Sequence, residues 1–164
     1  MNTSSVLAML ATRKHAMATA IATGVALPAM VLGTSQAVAS STPVPKTCPS
    51  TSLVAASLKQ KVSKVMQVAS KTTTGFKLTC TYATSFVVPD TITFGSPVTS
   101  TAFAASQKAA AKGVTVVAVH GLGNAAWAVK AGNGLSVLNG TLDIVISAPK
   151  TTDAELEALA RKIL

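Results

Sequence analysis

Hydrophobic positions are densest and most regular between residues 114 and 146. Val114, Val116, Val117 and Val119 form a β-branched run that stops at His120-Gly121-Leu122-Gly123-Asn124. Ala126-Trp127-Ala128-Val129, Leu135-Ser136-Val137-Leu138 and Thr141-Leu142-Asp143-Ile144-Val145-Ile146 follow, separated by Ala131-Gly132-Asn133-Gly134 and by Asn139-Gly140. β-Branched and aromatic residues punctuated by Gly and Asn-Gly turns are a strong hairpin signal, so a meander of three or four antiparallel strands is expected. Upstream, residues 76–82 alternate with period two, which puts Phe76, Leu78, Cys80 and Tyr82 on one face of a strand. Thr91-Ile92-Thr93-Phe94 reads as another short strand between Pro89-Asp90 and Gly95-Ser96-Pro97.

Three segments carry helical spacing. In residues 51–69, Val54, Leu58, Val62 and Val65 recur at steps of four, four and three, with Lys59, Lys61 and Lys64 outside that stripe, predicting one long helix. Residues 101–112 are alanine-rich and end at Gly113, predicting a helix with a glycine C-cap and little to bury. The last segment has the clearest start: Thr152 with Glu155 three residues on is a capping box. Leu156, Leu159, Ala160 and Ile163 form its apolar face, and acids precede bases along it as the helix dipole favours. Together these elements predict an α+β domain, an antiparallel sheet of about five strands with one face covered by the N- and C-terminal helices.

Composition changes the picture first at the N-terminus. Residues 1–39 hold Arg13 and Lys14 but no acid, then an apolar, small-residue stretch, then Ala37-Val38-Ala39 before Ser40. This is the pattern of a secretory signal peptide. An N-terminal membrane anchor is the competing reading, but the apolar part, 16–32, is short for a span of about 20 residues and carries polar threonines. The rest is a Ser/Thr/Pro lead over 40–49, read as extended and flexible, and a single secreted domain over 50–164. An exported chain meets an oxidising compartment, so Cys48 and Cys80 are expected to form a disulfide. No permanent membrane anchor is then expected.

Charge narrows the partners. Fourteen Lys and Arg face five Asp and Glu, a formal net charge of +9. Lys59, Lys61, Lys64, Lys71 and Lys77 could form a basic face for anionic envelope polymers, lipid headgroups or an acidic exported protein, or simply a solvated one. Nucleic acid is not expected, because arginines are nearly absent and no aromatics interleave with the lysines. His120, beside a glycine bend, could serve as a catalytic base with Asp90 or Asp143, which would make the chain a small secreted hydrolase; otherwise it is a surface loop residue. Residues 120–124 could alternatively be the rigid protruding loop of an inhibitor or structural protein. Gly121-x-Gly123 lacks the third glycine and the following helix of a dinucleotide loop. No cofactor or metal is implied, and Asn139-Gly140-Thr141 is read as a turn rather than a glycosylation site. Trp127 and Tyr82 are candidate apolar anchors for a ligand or partner, although an isolated aromatic flanked by alanines, as Trp127 is, is more often packed in the core.

Cys48, Cys80-Thr81-Tyr82, Gly121-Leu122-Gly123-Asn124-Ala125-Ala126 and Leu156-Glu157-Ala158-Leu159-Ala160 together resemble a family of small exported actinobacterial domains, many of them lipoproteins. The resemblance covers most of the chain after the leader. It implies an extracytoplasmic α+β domain with a Cys48–Cys80 disulfide, and it brings no catalytic residues. In the family the glycine motif more often ends in an acid where this chain has Asn124, and the lipidated cysteine is missing here. The expectation that results is a secreted, non-enzymatic binding or accessory domain of the cell envelope.

Overall fold

The computed structural model describes residues 42–130 and 133–164; the expected leader lies outside the described residues. The elements run α1 (Thr51–Leu58), β1 (Val62–Lys71), β2 (Phe76–Thr84), β3 (Asp90–Ser96), α2 (Ser100–Ala110), β4 (Val116–Val119), β5 (Ala125–Val129), β6 (Gly134–Asn139), β7 (Leu142–Ser147) and α3 (Asp153–Ile163). The seven strands form one sheet in the order β1-β2-β3-β7-β6-β5-β4, every neighbouring pair antiparallel. Two meanders, β1–β3 and β4–β7, therefore meet where β3 pairs with β7, and α2 carries the chain from one meander to the far edge of the other.

The sheet has two unlike faces. On one, Ala128, Leu135, Ile146, Ile92 and Cys80 stand in a transverse row, beside a second row of Ala126, Val137, Ile144, Phe94 and Leu78. These are buried, and Val54 and Leu58 of α1 with Leu156, Leu159 and Ala160 of α3 cover them. On the opposite face α2 covers only the β4–β6 side, where Phe103 packs on Trp127 and Leu138. The remainder of that face presents Thr79, Thr81, Thr91 and Thr93 in register, with Met66, Val68 and Val145 exposed around them.

The long N-terminal helix expected over 51–69 is a correction. The helix ends at Leu58, Lys59 takes a left-handed C-cap (φ 50, ψ 39), and the chain enters β1. The cause lies in a β-bulge between Val62 and Lys64. A bulge inserts one extra residue, so Val62 and Val65 both reach the buried face although they are three apart. Their spacing imitates a helix. With β1 added and all four strands of the second meander formed, the sheet has seven strands among the described residues rather than about five, and Lys61 and Lys64 belong to a strand and its approach, not to a helix face. The alanine-rich helix starts and stops earlier than expected, with a right-handed cap at Ala111 instead of a glycine cap. The capping box of α3 is present: Thr152 N–H donates to Glu155 Oε2 at 2.9 Å and Glu155 N–H to Thr152 Oγ1 at 3.3 Å.

Cys48 and Cys80 are bonded, with Cα atoms 5.7 Å apart. Because Cys80 is on the buried face and Cys48 lies two residues before the N-cap Ser50, the bond fixes where α1 begins over the sheet. Loop-closure entropy predicts that Cys48→Ala/Cys80→Ala lowers unfolding free energy by about 4 kcal/mol. Urea denaturation of the oxidised protein and of the double variant measures this. No change would mean that noncovalent contacts alone hold residues 48–80.

Candidate functional site

The β2–β3 connection, residues 85–89, leaves the sheet as an apolar tip. Phe86 is 42% exposed, Val88 56%, and Val87 is wholly in solvent. Three consecutive apolar side chains cost solvation free energy when left in water, about 1.5–3 kcal/mol each relative to full burial. Both ends of the loop are fastened to the α1–β1 approach. Thr84 pairs with Val62, and Asp90, which opens β3, accepts a hydrogen bond from Gln60 Nε2. The Thr84 hydroxyl accepts from Phe86 N–H at 3.2 Å, setting the turn out of β2.

That fastening brings the lysines to the tip. Lys64 stands across from Ala83 on the sheet face away from α1, Lys61 precedes Val62, and both are exposed. Lys59 lies on the helix side, its Nζ 3.6 Å from Glu155 Oε1. Among the described residues Lys61 and Lys64 meet no carboxylate. Glu155 is held below the usual carboxylate range, first by the Thr152 backbone N–H and further by Lys59. Asp90 beneath the tip is buried, and burial pushes its carboxyl up to about 6 against the opposing hydrogen bond from Gln60.

The other sequence-expected residues are dispersed. Tyr82 is completely buried on the helix-bearing face, its hydroxyl donates to Pro49 O at 2.8 Å, and burial raises its pKa to about 12. Trp127 is 9% exposed beneath α2, its ring centroid 6.3 Å from that of Phe103. Neither side chain offers an anchor to a partner; both are packing residues. His120 is exposed at the end of β4, the edge strand opposite β1. Asp90 on β3 is four strand spacings away, about 19 Å, and Asp143 on β7 three, about 14 Å. The sheet therefore keeps both acids out of His120's reach.

The bend at residues 120–124 is tied down at several points, although all of it but Leu122 is exposed. Leu122 is buried, Arg161 Nη1 donates to Gly121 O at 3.1 Å, and Asn124 N–H donates to Leu138 O at 2.7 Å. Asn124 Oδ1 also accepts from Gly140 N–H, fastening the bend to the β6–β7 turn. Gly123 has φ +54, and a Cβ there would stand 2.3 Å from Leu138 O, so the bend requires glycine on both counts.

Two grooves lie at the far end of the β1–β2 hairpin from the tip. The larger, about 780 Å³, runs between residues 42–46 and the strand ends at Lys71, Phe76 and Ser96. The smaller, about 290 Å³, opens on the opposite face beside Lys77, Thr93 and Asp143. Asp143 is half-buried, its Oδ1 has no hydrogen-bond partner among the described residues, and burial raises its pKa to about 6. His120, Trp127 and Tyr82 line neither groove. The tip and the larger groove were not legible as sites: Phe86-Val87-Val88 is too short a run to register as an element, and the groove joins segments distant in sequence.

Compared with known proteins, the chain matches no protein-family model, no curated protein and no solved structure.

The two raised carboxyls give the domain a signed pH dependence. Each binds its proton more tightly folded than unfolded, so the native state holds more protons between about pH 4 and 6 and stability falls as pH rises through that window. The urea midpoint should therefore be higher at pH 5 than at pH 7.5. Asp143→Asn should flatten part of this slope. A midpoint that rises with pH across the same range would contradict the assignment.

Proposed function

We propose that this chain is a secreted, non-enzymatic binding domain of the cell envelope, and that it docks reversibly on an anionic lipid surface through residues 85–89. The observation that carries the reading is the exposed Phe86-Val87-Val88 tip, which leaves β2 just beyond Thr84, where β2 pairs with the start of β1 and its exposed Lys61 and Lys64. Apolar side chains that enter the interface contribute up to about 1.5–3 kcal/mol each. A lysine near an anionic surface adds about 1 kcal/mol. Such sums describe attachment that forms and releases, not insertion.

Several features support the export half of the reading. The leader pattern of residues 1–39 and the Cys48–Cys80 bond both suit an oxidising compartment. The resemblance to exported actinobacterial domains points the same way. Among the described residues no helix is long and apolar enough to cross a membrane. The lysines act here together with an apolar neighbour, the tip, which supplies the hydrophobic part of the attachment.

Vesicle co-sedimentation tests the proposal. The purified, oxidised protein should sediment with phosphatidylcholine vesicles containing phosphatidylglycerol and much less with phosphatidylcholine alone. Val87→Asp should weaken binding about tenfold or more, and Lys61→Glu/Lys64→Glu should remove the preference for the anionic lipid. Both changes lie on exposed positions and should leave thermal stability unaltered. Equal sedimentation of Val87→Asp and the parent protein would overturn the proposal.

A further inference from the structure

The larger groove lies at the opposite end of the hairpin from the tip and stands independently of the docking reading. Lys71, Phe76 and Ser96 are in register across β1, β2 and β3 and belong to the same face as Leu78 and Phe94. Over most of that face helices cover the strands; at this end residues 42–46 cross instead. The crossing segment is held along its length. Ser96 Oγ donates to Thr42 O at 3.3 Å, Gln67 Nε2 donates to Lys46 O at 3.0 Å, and Cys48 N–H donates to Gln67 Oε1 at 3.1 Å. Val44 packs against the main core, and the disulfide ends the strap at Cys48.

Between strap and strands this leaves a groove of about 780 Å³, within the size range of small-molecule sites. Its apolar lining is Pro43, Val44, Pro45, Phe76 and Pro97, with the hydroxyl-bearing Thr42, Thr72, Thr73 and Ser96 beside them. Proline offers no N–H and holds its φ fixed, so three of the five present rigid apolar surface with no donor to a polar ligand. Gly75 closes one end: a Cβ there would lie 2.0 Å from Ser96 O, so the hairpin turn sits directly on the groove floor. Phe76 is 39% exposed although the alternation of its strand points it to the buried face. Lys46 and Lys71 border the groove, both exposed, and none of its lining residues is acidic.

An apolar trough with two cations at its border and no anion fits one ligand chemistry. We infer that the groove binds a single-chain anionic amphiphile, a long-chain carboxylate whose tail lies along Phe76 and the three prolines and whose head meets Lys46 and Lys71. Neutral apolar compounds would leave the lysines without a role, and compact polar anions would leave the proline wall without one.

A dansyl-labelled undecanoic acid, whose fluorescence rises in an apolar site, is the probe. It should bind the oxidised full-length protein with a saturable rise in fluorescence and be displaced by hexadecanoate but far less by hexadecanol. Phe76→Gln should weaken probe binding about tenfold. Lys46→Glu/Lys71→Glu, on exposed positions that leave the walls intact, should weaken it about fivefold or more. Val87→Asp should leave it unchanged, which separates this site from the docking tip. The inference is overturned if the probe shows no saturable binding, if hexadecanol displaces it as well as hexadecanoate, or if the charge-reversed variant binds as the parent does.

Discussion

Phe94 across from Ile144, and Ile92 across from Ile146, are the contacts on which the rest of the molecule depends. Without the β3–β7 ladder the chain is two separate meanders of three and four strands, each with its own apolar face to be covered. With it, seven strands become one surface wide enough for α1 and α3 to lie side by side and close a common core. The partners are some fifty residues apart in sequence, so their pairing has to be supported by contacts formed elsewhere. Cys48–Cys80 orients α1 over the first meander, the α3 capping box sets the entry of the last helix, and Arg161 draws the 120–124 bend of the second meander to α3.

That dependence explains what a reader of the sequence can and cannot see. The β4–β7 meander, the strands at Phe76–Thr84 and Asp90–Ser96, α3 and the fold class follow from local periodicity and turn residues, because each of those segments is consistent with its own pattern. β1 is not. Its bulge places Val62 and Val65 on one face at a spacing of three, and period analysis reads that spacing as helical. Only the β2 strand beside it reveals that the segment is extended. Trp127 shows the same limit in another form: its strand is legible, but whether it is covered depends on α2 returning over β5 and β6, which no local signal in residues 100–110 specifies. Tyr82 is oriented by alternation alone, yet its role is fixed by Pro49, thirty-three residues upstream.

The two proposed sites share a structural origin. The β1–β2 hairpin is the long, outermost part of the sheet, and little covers its ends. At one end, no element among the described residues lies over residues 85–89 to bury Phe86, Val87 and Val88. At the other, the strap of residues 42–46 is too narrow to fill the space over Phe76, and a groove remains. Acids are kept from the surface of both ends: Asp90 is buried, Glu155 faces Lys59, and Asp143 opens on the other face. The basic balance of the chain is therefore expressed where apolar surface is also left uncovered.

A long edge strand offers a simpler account of the lysines, since charged side chains on an edge prevent it from pairing with another sheet. β1 has ten residues and, among the described residues, an unpaired outer side, and the strand carries Lys64 and Lys71. Edge protection explains charge but not what stands next to it. A strand defended only against pairing has no use for three consecutive exposed apolar residues in the adjoining loop, because those residues promote the association that the lysines oppose. Lysines beside an apolar tip are consistent with a surface that rejects other sheets and accepts an anionic interface. The same side chains can serve both purposes, since repulsion between two like-charged edges and attraction to a negative surface are one electrostatic property meeting two different partners.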